Sequence, residues 1–313
     1  MPVPDVVSDT TRMTSPQVLS IKPVVLTDQA RGDDLQVRVS APASGTGLPV
    51  IVFAHGFGAA MDSYDPLVDF WVAHGFVVVQ PTFLDSATLG LNSTDPRYPL
   101  IWVTRVDDLE RVIDDLDAVL EAVPGLVGRV NRELLAVAGH SWGGQSVGML
   151  IGARVIGADG QPGEGRTDSR IKAAVLLSTT GTGGDDLTPF AQENFAFMSP
   201  DFTRLNTPTL VVAGDHDQSP LSTRGPDWFT DVYQLSPGAR NLVTVFGAEH
   251  SLGGIEGYHS TRTTDEDPER VDLVRRTSTA FLQSALGINS TVWTDQAAAL
   301  DAAATPAGRI DSK

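Results

Sequence analysis

The segment LLAVAGHSWGGQS, residues 134–146, places Ser141 between two glycines, directly after an apolar run and ahead of a helical pattern. Gly139-His140-Ser141-Trp142-Gly143 reads as a tight strand-to-helix turn. Such a turn lifts a serine hydroxyl clear of a sheet, and it needs small flanking residues because neighbouring chains come close. A helix N-terminus behind the serine favours developing negative charge. A second match to the same spacing, Gly144-Gln145-Ser146-Val147-Gly148, lacks the strand before it and reads as part of the following helix. Ser141 is therefore the candidate nucleophile. A hydroxyl is a weak nucleophile, so this chemistry demands a base and a carboxylate to orient that base.

The elements that could position these groups alternate along the chain. LPVIVFAHG, FVVVQPT, LLAVAGH, IKAAVLLST, PTLVVAGD and NLVTVFGA are nearly continuous apolar runs closed by Gly, Pro or polar turns, as parallel strands buried on both faces require. Helical patterns separate them: YDPLVDFWVAHG, VDDLERVIDDLDAVLEAV, the stretch after Ser141, and VDLVRRTSTAFLQSALG. This alternation predicts a mainly parallel sheet in a three-layer α/β domain. VLSIKPVVL and LQVRVSAP can add antiparallel strands at one edge. The expected organisation is a flexible N-terminal segment over residues 1–17, one catalytic domain over 18–287, and an alanine-rich tail over 288–313 with room for one docked helix. Two long connections, 83–104 and 180–206, have the length of lids or binding loops.

With the strand–serine–helix segment in place, the chain resembles the α/β-hydrolase superfamily. HGFG, GHSWGG, GDHD and GAEH are most similar to its branch of dienelactone hydrolases, chlorophyllases, acetylhydrolases and bacterial polyester hydrolases. The resemblance spans about residues 18–287 and implies a three-layer α/β-hydrolase fold with no large cap domain. Two departures stand out. Dienelactone hydrolases proper use a cysteine, which this chain lacks, and the HGGG run of many lipases is absent. The superfamily orders its triad Ser, then acid, then His. Asp215 and Asp217 both follow the strand PTLVVAG, and the family's Gly-x-x-Asp spacing selects Asp217, leaving Asp215 as a turn former. His250, in GAEHSLGG just past a strand, is the expected base, and His259 reads as a surface residue. The resemblance also implies an oxyanion hole from the backbone N–H groups of Phe57 and Trp142. His140 carries no function in this reading.

The expected activity is that of a serine carboxylic-ester hydrolase working through an acyl-enzyme, needing no cofactor and no metal, on an apolar or aromatic ester, small-molecule or polymeric. Other acyl-transfer chemistry on the same triad, such as amide hydrolysis or perhydrolysis, stays open, as does a non-catalytic binding protein on the same scaffold. Trp102, Phe195, Phe197 and Met198, in the two long connections, are candidates for lining an apolar or aromatic substrate pocket. Composition narrows the remaining classes. The 22 Lys and Arg against 39 Asp and Glu give a net charge of −17, which disfavours nucleic acids and anionic membranes as partners. With no cysteine there is no disulfide, thiolate catalysis or iron–sulfur site. No apolar run reaches the roughly 18–20 residues of a membrane span, and no signal peptide is visible, so the expected location is cytoplasmic.

Overall fold

The computed structural model describes residues 17–27, 29–258 and 260–313. Most of the N-terminal segment and His259 lie outside them. Eleven strands are found among the described residues: β1 (Val18–Leu26), β2 (Leu35–Pro42), β3 (Leu48–Ala54), β4 (Val77–Thr82), β5 (Val130–His140), β6 (Arg154–Val155), β7 (Ile171–Leu177), β8 (Pro200–Asp201), β9 (Thr209–Gly214), β10 (Ala239–Val245) and β11 (Gly308–Ser312). Nine form one sheet in the order β1-β2-β4-β3-β5-β7-β9-β10-β11, and β6 pairs only with β8. The six apolar runs became β3, β4, β5, β7, β9 and β10, all mutually parallel. β1 and β2 extend the sheet antiparallel at one edge.

Among the described residues there are eight α-helices: α1 (Asp65–Ala73), α2 (Ile101–Asp114), α3 (Leu116–Glu121), α4 (Trp142–Leu150), α5 (Pro189–Asn194), α6 (Asp231–Leu235), α7 (Pro268–Ala285) and α8 (Val292–Asp301). Side-chain alternation along the strands divides the core in two. Val50, Val52 and Val137 join the cluster that holds Val106, Leu109 and Val112 of α2. Ile51, Phe53, Ala136 and Ala138 face the other way, onto Trp71 of α1 and Val274 and Phe281 of α7. Two apolar faces on every central strand account for the continuous rather than alternating pattern of those runs. This is the three-layer α/β architecture read from the sequence.

The alanine-rich stretch forms one docked helix, as its sequence allowed, and a strand beyond it that no sequence pattern announced. Trp293 of α8 meets Phe281 edge-on at 5.6 Å between ring centroids, and β11 pairs antiparallel with β10, with Ile310 opposite Val243. Residues 308–312 read GRIDS and carry little strand propensity. Their conformation comes from the free hydrogen-bonding edge of β10, which no local pattern reveals.

Candidate active site

β5 ends at His140, and Ser141 turns the chain into α4 with φ 54° and ψ −124°, a region that disfavours any side chain. The turn is possible because of the glycines around it. A Cβ at Gly139 would overlap the Gly143 carbonyl, and one at Gly143 would overlap the carbonyl oxygens of Ala54 and His55 at the end of β3. Ser146, from the second motif match, is buried inside α4 and donates to the Trp142 carbonyl at 2.9 Å.

Ser141, Asp217 and His250 come together from the ends of β5, β9 and β10. The Ser141 hydroxyl lies 2.8 Å from His250 Nε2, and His250 Nδ1 lies 2.9 and 3.1 Å from the two Asp217 carboxylate oxygens. Asp217 is fully buried, whereas the His250 side chain is 38% exposed. Burial pushes the His250 imidazole down, but the hydrogen bond and charge of Asp217, with Glu256 and Asp265 farther off, outweigh it and the net direction is up. Asp215 is turned away and accepts from the Gly247 N–H at 2.6 Å. The loop carrying His250 is held by Asp265, whose carboxylate accepts from the N–H groups of Glu249 and Gly253 at 2.8 and 2.9 Å. Phe229 packs beneath His250 at 5.5 Å between centroids, while Trp228 is fully buried.

Phe57 and Trp142 flank Ser141, with rings 5.4 Å apart. The Gly56 carbonyl accepts from His55 Nδ1 at 2.7 Å and from the Ala59 N–H at 3.2 Å. Because that carbonyl shares a peptide plane with the Phe57 N–H, holding one end orients the other. Beneath this loop lies Arg105, fully buried. Its guanidinium pairs with Asp85 at 2.6 Å, donates to the His55 carbonyl, and reaches Ser146 Oγ at 3.1 Å. Asp85 in turn accepts from the Gly58 N–H at 3.0 Å. Arg105 also lies over the Trp142 ring at 5.1 Å, so one buried cation braces both sides of the serine turn. Burial alone would raise the Asp85 carboxyl, and Arg105 with His55 holds it low instead. Sequence reasoning missed Arg105 and Asp85. The available signal was a charge on an apolar stripe, since Arg105 stands four residues from both Ile101 and Leu109 on the buried face of α2.

A cavity of about 490 Å³ opens on Ser141 and His250, lined by Phe57, His216, Glu249, Glu256 and Arg262 among others. Arg262 donates to the Phe57 carbonyl at 2.7 Å. Trp102, Phe195, Phe197 and Met198, expected to line an apolar pocket, do not line this cavity. Met198 is buried, and Phe197 is stacked between Trp142 at 5.3 Å and Trp102 at 5.6 Å, with Phe195 edge-on at 6.0 Å. Aromatic residues in long connections meet one another as readily as a ligand, and offset stacking holds them there. Trp142 links this stack to Phe57, which is among the residues lining the cavity. Among the described residues no cluster of His, Asp and Glu could hold a metal ion, and no helix is long and apolar enough to cross a membrane.

Two comparisons with known proteins bear on this arrangement. The chlorophyllase family model matches residues 11–152, a span containing Phe57, Ser141 and Trp142 but neither Asp217 nor His250. The chain is also similar to a platelet-activating factor acetylhydrolase from Cavia porcellus, 22% identical over 290 residues. That match covers 79% of this chain and 59% of the relative, so the chain spans less than two thirds of the relative's length.

Proposed function

From a chain with the fold of the α/β-hydrolase superfamily, similar to hydrolases of that superfamily, we propose a serine carboxylic-ester hydrolase working through Ser141, His250 and Asp217. The observation that carries this reading is the continuous hydrogen-bond line from the Ser141 hydroxyl through His250 to the buried Asp217. His250 Nε2 takes the Ser141 proton as Oγ attacks the ester carbonyl, and Asp217 stabilises the imidazolium that forms. The carbonyl oxygen becomes an oxyanion facing the Phe57 and Trp142 N–H groups. His250 returns the proton to the departing alcohol, leaving an acyl group on Ser141. Water, deprotonated by the same imidazole, then releases the acid. The residues named need no metal or cofactor for these steps.

The cavity supports a finer reading of the substrate. Glu249, Glu256, Arg262 and His216 make it polar, which favours a short acyl group and a polar alcohol over a long hydrocarbon chain. An acetyl group, which the name of the similar acetylhydrolase implies for that protein, fits such a lining. An apolar or aromatic part would rest against Phe57.

Hydrolysis of p-nitrophenyl esters from acetate to palmitate, with Ser141→Ala alongside, tests both readings. Turnover in the wild type alone, faster on acetate and butyrate than on palmitate, is expected. Activity that survives Ser141→Ala overturns the mechanism, and a preference for palmitate overturns the substrate reading. Labelling by a fluorophosphonate at Ser141 separates an enzyme with a narrow substrate from a binding protein that merely carries these residues.

A further inference from the structure

His140 stands beside the candidate nucleophile, is fully buried, and takes no part in the proposed proton transfers. Its Nε2 lies 2.8 Å from the main-chain carbonyl of His250, and its Nδ1 lies 2.9 Å from the Tyr64 hydroxyl. The Tyr64 oxygen is also 3.0 Å from the Gly56 N–H. Burial, with His250 nearby, holds the His140 imidazole down to about 3, so the ring is neutral and carries one proton.

That single proton determines the direction of every bond in the line. The His250 carbonyl can only accept, so Nε2 must carry the hydrogen. Nδ1 is then an acceptor, which makes Tyr64 the donor to it, and the Tyr64 oxygen accepts from Gly56. Reversing the ring would set a bare nitrogen against a carbonyl oxygen and leave two buried acceptors facing each other. The Glu256 carboxylate is 3.7 Å from Nδ1, beyond hydrogen-bond reach, while the Glu256 carbonyl holds the Tyr64 N–H at 2.8 Å. Tyr64 itself sits at φ 72°, a conformation a tyrosine adopts only when its surroundings impose it.

We infer that Tyr64 and His140 are positioning residues, forming one directed chain that sets the oxyanion loop at Gly56 and the backbone of His250 in mutual register around Ser141. The inference rests on the proposed hydrolase reading. Asp217 orients the His250 ring, but the place of that ring also depends on a loop outside any strand or helix. Other ties hold its neighbours: Asp265 accepts from the Glu249 and Gly253 N–H groups, Thr264 donates to the Glu249 carboxylate, and the Ala248 carbonyl accepts from the His216 N–H, whereas the His140 bond acts on the His250 main chain itself.

The test compares Tyr64→Phe, His140→Ala, His140→Gln and the double variant Tyr64→Phe/His140→Ala with the wild type and Ser141→Ala. Steady-state kinetics are read on the best p-nitrophenyl ester, at a temperature where each variant is folded by circular dichroism. Tyr64→Phe removes one oxygen and keeps the ring. It is expected to lower kcat by about tenfold or more with KM within about twofold, because misplaced groups cost rate rather than binding. His140→Ala should lose at least as much, and His140→Gln, whose amide can still donate to the His250 carbonyl, should recover part of it. The double variant should be no worse than His140→Ala, since either break interrupts the same chain. Full kcat in Tyr64→Phe, or losses that add, overturns the inference while the Ser141 mechanism stands. If Tyr64→Phe does not fold, the His140→Ala and His140→Gln pair decides: equal kcat in the two overturns it. A wild type that neither hydrolyses esters nor takes a fluorophosphonate at Ser141 overturns both readings.

Discussion

Three histidines around Ser141 carry the same side chain into two different protonation regimes. His55 is fully buried, and burial with the nearby Arg105 pulls it down to about 4. His140 falls to about 3. His250 alone moves up, because Asp217 lies against its Nδ1. The first two are therefore fixed in one tautomer across the neutral range and can serve as hydrogen-bond struts, while the third is free to gain and lose a proton. In the proposed mechanism His250 must be neutral to act as base. Activity is thus lost as pH falls through its raised pKa, and the acidic limb of the kcat/KM profile should have its midpoint above the 6.5 of an unperturbed imidazole. Asp217→Asn should move that midpoint down and lower kcat by about 10³- to 10⁴-fold, because the amide no longer stabilises the imidazolium or selects the tautomer. A limb that stays put in Asp217→Asn would mean that another group controls the profile.

At the scale of elements, the serine turn depends on how closely β3, β5 and α4 approach. The backbone of α4 begins against the end of β3, and Gly143 is the point where no side chain fits. Gly143→Ala should cost about 1–3 kcal/mol in urea unfolding, since the obstacle is backbone carbonyl rather than a side chain that can swing aside. The loop from His55 to Gly58 depends on Arg105 and Asp85 in a different manner. Arg105→Met leaves the Asp85 carboxylate buried without its cation, and a loss of about 3–5 kcal/mol is expected. Adding Asp85→Asn should restore part of that stability but not the turnover, because the amide cannot rebuild the bonds that Arg105 makes to His55 and Ser146. If the double variant recovered full activity, the pair would matter for folding alone.

Across the whole molecule, buried histidines couple stability to pH. His55 and His140 have folded pKa values below the 6.5 of the unfolded chain. The unfolded state therefore binds more protons as pH falls, and the stability these groups supply is present above 6.5 and drains away below it. Between pH 7 and pH 5 each should surrender about 2 kcal/mol. Asp108 runs the other way. Burial raises it to about 6 against the opposing pull of Arg31, so its protonation relieves the fold over the same interval. The clean observable is a difference between variants. His140→Gln should lose about 2 kcal/mol less than the wild type between these two pH values in urea titrations. Identical losses would show that His140 does not titrate as a buried neutral group.

Much of this protein was legible in the chain itself. Six apolar runs separated by helical patterns determine a parallel sheet covered on both faces, because a strand buried on both sides has no polar face to display. Gly139-His140-Ser141-Trp142-Gly143 is legible for a similar reason: a serine at a strained turn needs local chemistry, and local chemistry is written in adjacent residues. What only the tertiary structure decided are the contacts between residues far apart. Asp215 and Asp217 differ by two positions; the spacing of the resembled family favoured the second, but the partners themselves, a backbone N–H for one and His250 for the other, come from the fold. Trp102 and Phe197 were candidates for a ligand pocket, and packing paired them with each other instead. Arg105, 36 positions before Ser141, shows locally only that a charge sits on the apolar stripe of α2 and not what it binds, and Tyr64, 76 positions before His140, has no local signature of its role. Their bonds exist because the sheet order brings β3 beside β5, and no neighbouring residue records which strand lies next door.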